Sequence, residues 1–276
     1  MKPLDWCRER LQVAGQPLAA SLPFAPSDHR QTIIALRALA TEIMAVPREV
    51  DEAEVARRKL EWWSQALEAG SAHPAIEAWY RTSASAMLRG EFASLLAAVV
   101  TDIDPPRCND LDEAWQYCGR LGGMVAVLEA RALGADPALA ECLRACGTFS
   151  ELVRRVRDVA IDAGRHRWLV PLQLQAQYQV SRVDVVSGAV GRGWDGLVRH
   201  WLGDGLRRVE AAAPGADPVA AWRHRHVLIA HALDRRLASR LAARPGRILG
   251  HRFLPGHAGN VWTAWRCARR LQRAAR

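Results

Sequence analysis

Apolar residues recur at α-helical spacing along almost the whole chain. Residues 28–46 carry enough of them for a mostly buried helix, and residues 51–69 place Val55, Leu60 and Trp63 on one stripe. Alanine, leucine and arginine dominate the composition, and all three favour helix. Isoleucine, phenylalanine and tyrosine are scarce, which argues against a large sheet. The sequence therefore predicts an all-α fold.

The periodicity divides the chain into about eight to ten helices. No glycine- or serine-rich linker separates them, and residues 214–218 are typical of a turn between helices. We therefore predict one domain, residues 1–276, with a core of about 20–270. The predicted helices cover residues 28–46, 51–69, 74–100 with a break near Gly90, 110–133, 136–162, 194–212, 218–243 and 258–274.

The charge of the chain is strongly positive and comes almost entirely from arginine. The formal net charge is +9, and the only lysines are Lys2 and Lys59. Arginine suits flat oxyanions such as phosphate, so the charge fits a phosphate-bearing ligand, a nucleic acid or an anionic membrane; solvated helix faces in an arginine-rich protein explain it equally well. Because no helix-turn-helix, zinc or aromatic-basic module is present, we expect no nucleic-acid partner.

The cysteines and the apolar runs bear on the compartment. The six cysteines form no Cys-x-x-Cys pair, so we predict reduced thiols packed in or near the core. No apolar run reaches the ~18–20 residues that span a bilayer, and the N-terminus lacks a signal core. A cytoplasmic location is predicted, with membrane contact at most peripheral. The basic tail with Trp262 and Trp265 fits either such contact or a helix that packs its tryptophans on the bundle.

One segment carries a candidate site. Asp158 and Asp162 are four residues apart, so on a helix they share a face. Two carboxylates together raise each other's pKa unless something offsets the repulsion, and Mg²⁺ does so with hard oxygen ligands that also bridge to phosphates. Arg154 and Arg157 lie in the same turns and suit a phosphate or the carboxylates themselves. The alternative is an ordinary ion-pair face.

The order of motifs resembles the squalene and phytoene synthase family. Arg157-Asp158, then Asp162, a basic loop with Arg165, Pro171 and Val180-Ser181 is similar to its second acidic motif. Other segments that resemble the family cover about residues 20–270 and include Leu22-Pro23, Ala35 to Leu39, Arg58 to Trp63, and Tyr117 to Gly123.

The resemblance implies an isoprenoid-synthase helical bundle around a central cavity. Family members condense two prenyl diphosphates head to head with Mg²⁺, in isoprenoid biosynthesis. It implies Asp158 and Asp162 as metal ligands, catalytic together with Arg157, and Arg154, Arg157 and Arg165 as diphosphate ligands. The expected partner is a prenyl diphosphate or another isoprenoid lipid.

The first acidic motif of the family is degenerate in this chain. Where the family has an aspartate-rich cluster, only Glu42 is acidic, because Ile43, Met44 and Val46 follow it. Residues 35–43 also resemble a non-catalytic branch that includes respiratory complex I assembly factors. Two hypotheses follow: a prenyl transferase whose activity is weakened or lost, and a pseudoenzyme that acts as an assembly factor or lipid-binding protein.

Overall fold

The fold is all-α, as predicted. The computed structural model describes residues 1–12, 17–212, 217–250, 253 and 256–276, and all regular secondary structure in these ranges is helical. A 3₁₀ turn (Leu22–Phe24) and a π-helical turn (Gly119–Gly123) accompany the α-helices. The α-helices are α1 (Pro3–Leu11), α2 (Pro17–Ser21), α3 (Arg30–Glu49), α4 (Ala53–Ala69), α5 (Pro74–Tyr80), α6 (Ala84–Met87), α7 (Arg89–Thr101), α8 (Leu111–Cys118), α9 (Met124–Ala132), α10 (Pro137–Arg157), α11 (Val159–Gly164), α12 (Leu172–Tyr178), α13 (Arg182–Ser187), α14 (Gly193–Ala211), α15 (Pro218–Arg223), α16 (Arg225–Ala243), α17 (Arg247–Gly250) and α18 (His257–Ala274).

The long helix α10 forms the centre of the bundle. It begins where the sequence predicts, because Asp136 accepts a hydrogen bond from the Leu139 amide at 2.8 Å and Pro137 fills the first helical position. Most of its residues are buried, and it packs against α9, α14 and α16. One continuous apolar core surrounds it and draws on residues from Cys7 to Ile248. All six cysteines are free and buried, which confirms that prediction. The single-domain boundaries stay a prediction.

Glycines let α10 approach the π-helical turn closely. The backbones of Gly122 and Gly147 are in contact, so neither position has room for a side chain. A Cβ atom on Gly147 would lie 2.6 Å from the Cβ of Ala126, and closer still to the carbonyl oxygen of Gly122. Small residues along 110–133 therefore serve close helix packing, as their sequence pattern predicts.

Replacing Gly147 with alanine is expected to destabilise the protein by roughly 3 kcal/mol, because backbone atoms cannot move aside for the new methyl group. Urea denaturation of Gly147→Ala measures the loss. Gly164→Ala is the matched control, since a Cβ there meets nothing within 4 Å, and we expect it to be neutral or slightly stabilising. Equal stability of the two variants would show that the helices separate at no cost.

Three predicted helices are interrupted. Residues 74–100 form α5, α6 and α7, and the break at Leu88 lies two residues before Gly90, near which the sequence predicts it. A second, unpredicted break precedes Ala84, where Thr82 and Ser85 donate side-chain hydrogen bonds to nearby carbonyls, which competes with helix. Residues 218–243 divide at His224, whose ring contacts the Ala220 carbonyl oxygen.

The interruption of 136–162 falls at Asp158, between α10 and α11. Its carboxylate turns back to the guanidinium of Arg157. Neighbouring residues do not face each other on a regular helix, so this pairing requires a local departure from it. The predicted helix is therefore interrupted at Asp158, but the Asp162 amide donates to the Asp158 carbonyl oxygen at 2.9 Å, so the two residues remain one helical turn apart.

Candidate functional site

A cavity of about 200 Å³ lies between α3, α10 and α16. One part of its wall is polar, and the remainder is made of small and aliphatic side chains such as Met44, Val153 and Leu237. This volume is below the ~300–1,000 Å³ usual for small-molecule pockets. It leaves no room for two long chains side by side. The polar lining residues are Arg37, Thr41, Ser150, Glu151, Arg154, Arg157 and Asp234.

A buried charge network lies beside the cavity and is centred on Arg155. The Arg155 side chain is only 1 % exposed; its Nη2 lies 2.6 Å from Asp102 Oδ1 and its Nε lies 2.8 Å from Glu151 Oε1. Arg167 Nη2 lies 2.8 Å from the second oxygen of Asp102, and the Tyr117 hydroxyl donates to the first. Burial alone would raise the pKa of Asp102, but the two arginines hold it below its usual value.

The predicted diphosphate ligands Arg154 and Arg157 both line the cavity, and each is paired with a carboxylate. Arg157 binds Asp158 through two hydrogen bonds, Nε to Oδ1 at 2.8 Å and Nη2 to Oδ2 at 2.6 Å. Arg154 binds both oxygens of Glu151, at 2.9 and 2.5 Å, and lies 3.9 Å from Asp158. The Asp158 carboxylate is thus neutralised by two guanidinium groups.

The other predicted site residues lie outside the cavity wall. Neither Asp158 nor Asp162 is among the lining residues. Asp162 is buried, its nearest cation is Arg155 at 4.0 Å, and burial raises its pKa. Arg165 has a half-exposed side chain that donates to the Arg48 carbonyl oxygen and lies 3.8 Å from Asp51. The structure therefore brings Arg154, Arg157 and Asp158 together and places Arg165 apart from them.

The residues present do not fit a pair of Mg²⁺ ions. Mg²⁺ demands octahedral oxygen coordination, yet both oxygens of Asp158 accept from Arg157. On α3, Glu42 pairs with Arg10 of α1 and is not a lining residue of the cavity, and Met44 and the fully buried Val46 offer no oxygen. In the part of the chain that the structure describes, no three His, Cys, Asp or Glu side chains are arranged to hold a metal. Metal binding by Asp158 and Asp162 stays a prediction, and it requires Arg157 to release Asp158.

Arg48 is a residue that sequence reasoning missed. It follows Thr41 and Met44 on α3 at the spacing of one helical face, and both of those residues line the cavity. Arg48 itself is not among the lining residues, and its partly buried guanidinium forms no hydrogen bond or ion pair with any residue that the structure describes, although the charges of Glu151 and Asp102 attract it. Burial, together with repulsion from Arg154, lowers the pKa of Arg48 to about 10. The helical register of the degenerate motif could have revealed this extra cation.

Asp234 on α16 carries a pH-dependent contribution to stability. Its carboxylate accepts a hydrogen bond from Ser150, and burial raises its pKa from 3.8 to about 6. The folded state therefore favours the protonated acid, and this contribution is lost as the pH rises from about 4 through 6.

We expect Asp234→Asn to be more stable than the parent at pH 8, by up to about 3 kcal/mol, and equally stable at pH 4. Urea denaturation of both proteins at the two pH values measures the difference. The comparison of two proteins at each pH cancels the opposite effect of His226, whose pKa burial lowers to about 4. An equal difference in the free energy of unfolding at both pH values would show that Asp234 does not cause this pH dependence.

The matching family model and the similar sequences all belong to one family. A family model described as squalene/phytoene synthase matches residues 11–266. The phytoene synthase of Arthrospira platensis is 30% identical over 125 residues, which are 40% of this chain and 40% of that protein. The phytoene synthase of Thermus thermophilus is 27% identical over 147 residues, 51% of this chain and 50% of that protein. The matched region thus spans half or less of the length of these relatives.

Solved structures confirm the architecture. A dehydrosqualene synthase in complex with ligand has a TM-score of 0.78 at 13% identity, over 98% of this chain and 97% of that one. The squalene synthase HpnC from Alicyclobacillus acidocaldarius has a TM-score of 0.69 at 18% identity, over 89% of this chain and 94% of that one. At these identities the likeness concerns the fold, and it confirms the predicted isoprenoid-synthase bundle.

Proposed function

This chain belongs to the squalene/phytoene synthase family, and from that premise we propose that it binds one prenyl diphosphate without metal and does not condense two of them. The observation that carries the proposal is the pairing of carboxylates with arginines at the cavity. Asp158 and Glu151 are each held through both oxygens, and the positions Met44 and Val46 of the degenerate first motif are apolar.

Arginine can supply the positive charge that a diphosphate needs. Guanidinium groups bind phosphate oxygens through paired hydrogen bonds and keep their charge in a partly dry site. Arg154 and Arg157 line the cavity. Arg48, on the same α3 face as the lining residues Thr41 and Met44, adds a cation near Arg154 that is only partly offset by Glu151 and Asp102. The aliphatic wall with Val153 and Leu237 suits the prenyl chain. These side chains bind and orient the ligand.

Condensation requires more than binding. It needs two substrates side by side and strong stabilisation of the departing diphosphate. A cavity of about 200 Å³ does not hold two prenyl chains, and cations that are already paired with carboxylates offer less charge to a leaving group. We therefore place the protein with the lipid-binding form of the pseudoenzyme hypothesis. A role in assembling respiratory complex I stays a hypothesis that rests on residues 35–43.

A prenyl diphosphate carries an apolar chain that partitions into membranes. The proposal therefore includes peripheral contact of the protein with a membrane. In the described ranges, no helix combines the length and the apolar character needed to cross a bilayer. A cytoplasmic location stays a prediction.

An assay with farnesyl or geranylgeranyl diphosphate and Mg²⁺ tests the absence of condensation. We expect no head-to-head product, and pyrophosphate release no faster than in buffer, from folded protein. A dehydrosqualene synthase assayed in parallel is the positive control. Product formation that disappears in Asp158→Asn and in Asp162→Asn would instead establish those residues as the catalytic metal ligands that the resemblance implies.

A further inference from the structure

The net positive charge of the molecule comes from its C-terminal part. Asp234 is the last acidic residue of the sequence, and the 42 residues after it contain 11 arginines. The 234 residues up to that point hold 27 basic and 29 acidic residues, so they carry a small negative charge. The net charge of +9 therefore arises from α16, α17, α18 and the segments between them.

Helix α18 packs on the bundle through small residues and leaves its tryptophans in solvent. Ala264, Cys267 and Ala268 are buried in a cluster with side chains from α2 and α16. Trp262 and Trp265 are 58% and 45% exposed, and their rings stack on each other with centroids 5.1 Å apart. The alternative in which the tail packs its tryptophans on the bundle is therefore wrong.

A group of exposed arginines lies beside this tryptophan pair. Arg269 stands over the Trp265 ring, with 5.6 Å between the guanidinium carbon and the ring centroid. None of the group forms an ion pair with any residue of the described ranges. The members are Arg266, Arg269, Arg270, Arg273 and Arg276.

The tryptophans and the arginines on this face of α18 both have more favourable surroundings at a lipid interface than in water. Exposed indole rings lose nothing by entering an interface where the ring body is in an apolar layer and its N–H stays wet. Unpaired guanidinium groups on one helix repel each other, and lipid phosphates relieve that repulsion. The tryptophans stack on each other, so their facing surfaces are not available for stacking on nucleobases. Charge and shape together favour a lipid surface over a nucleic acid.

We propose that α18 docks the protein on an anionic lipid bilayer, with Trp262 and Trp265 in the interfacial layer and the neighbouring arginines on lipid phosphates. The inference names a surface for membrane contact. It stands on the charge distribution and on the exposed face of α18, whereas the proposed ligand binding stands on the cavity between α3, α10 and α16.

Flotation of the full chain with vesicles tests the proposal. We expect binding to phosphatidylcholine vesicles that contain about a third phosphatidylglycerol, at least tenfold tighter than to pure phosphatidylcholine vesicles. The double variants Trp262→Ser/Trp265→Ser and Arg269→Gln/Arg273→Gln are each expected to weaken binding at least tenfold. The matched control is Trp62→Ser/Arg58→Gln on α4, whose side chains are also exposed, and it should bind as the parent does.

Three results would overturn the proposal. Folded parent protein could fail to float with anionic vesicles, or the α18 variants could bind them as well as the α4 control does. The third is DNA or RNA binding tighter than vesicle binding and lost in the same α18 variants, which would reassign the face to nucleic acid. Prenyl diphosphate affinity should be the same in the α18 variants and the parent. A failure of the membrane-docking proposal can therefore be distinguished from a failure of the proposed ligand binding.

Discussion

Replacing Arg155 with methionine is expected to lower the free energy of unfolding by about 3–5 kcal/mol. The Arg155 side chain is almost fully buried and joins Asp102 of the loop after α7 to Glu151 of α10. Methionine fills a similar volume, but the buried carboxylates of Asp102 and Glu151 each lose one cationic partner. Total stability of a domain is about 5–15 kcal/mol, so the variant should unfold at much lower urea concentration, as monitored by circular dichroism at pH 7.

Two further variants separate the charge effect from the loss of side-chain volume. Arg58→Met removes an arginine that is 78% exposed and 3.6 Å from Glu54, and it should change stability by less than about 0.5 kcal/mol. Combining Asp102→Asn with Arg155→Met should cost less than the sum of the two single losses, because both variants remove the same buried ion pair. If the two losses simply add, the network stabilises the bundle by packing alone.

Replacing Arg154 with methionine is expected to weaken binding of farnesyl diphosphate about 100-fold, which corresponds to roughly 3 kcal/mol for a paired, charge-assisted contact. The fold should persist, because Glu151 keeps its hydrogen bond from Arg155 at 2.8 Å. Calorimetric titration gives the affinity, and urea denaturation shows that the variant is folded.

The Arg48→Met variant gives a sharper test, because affinity and stability should move in opposite directions. Burial and the charge of Arg154 disfavour the protonated form of Arg48 and lower its pKa to about 10. Removing the guanidinium should therefore raise the free energy of unfolding, by up to about 3 kcal/mol, while affinity for the diphosphate falls about 10- to 100-fold. A merely structural arginine would lower stability when removed.

Arg165→Met is the matched comparison. The family resemblance predicts Arg165 as a diphosphate ligand, whereas its half-exposed side chain lies outside the cavity wall. We expect less than a threefold change in affinity. A loss as large as that of Arg154→Met would support the prediction from the sequence, and unchanged affinity in Arg48→Met would remove Arg48 from the site.

Much of the fold could be predicted because local signals and apolar periodicity agree. Asp136-Pro137 and Asp217-Pro218 both begin helices as predicted, with the aspartate side chain accepting from backbone amides. Helix interruptions were harder to predict. At Asp158 the break accompanies pairing with the adjacent Arg157, and the spacing of apolar residues carries no information about such pairs.

The candidate site was predictable only in part, because helical spacing shows which residues share a face and not what the face meets. Arg154 and Arg157 line the cavity, and their role as diphosphate ligands stays a prediction. Their pairing with Glu151 and Asp158 depends on side-chain rotamers, and the Asp102–Arg155 pair joins residues 53 positions apart. Such long-range contacts are set by how the helices pack, so a single sequence without its fold does not reveal them.

The central claim is that the cavity binds one prenyl diphosphate through arginines in place of metal. Calorimetric titration of the full chain with farnesyl diphosphate, once with Mg²⁺ and once with EDTA, tests it most directly. The predicted result is one ligand per chain with dissociation constants that agree within about threefold, since both oxygens of Asp158 already accept hydrogen bonds from Arg157. Binding that requires Mg²⁺, a stoichiometry of two, or no binding by folded protein would contradict the claim.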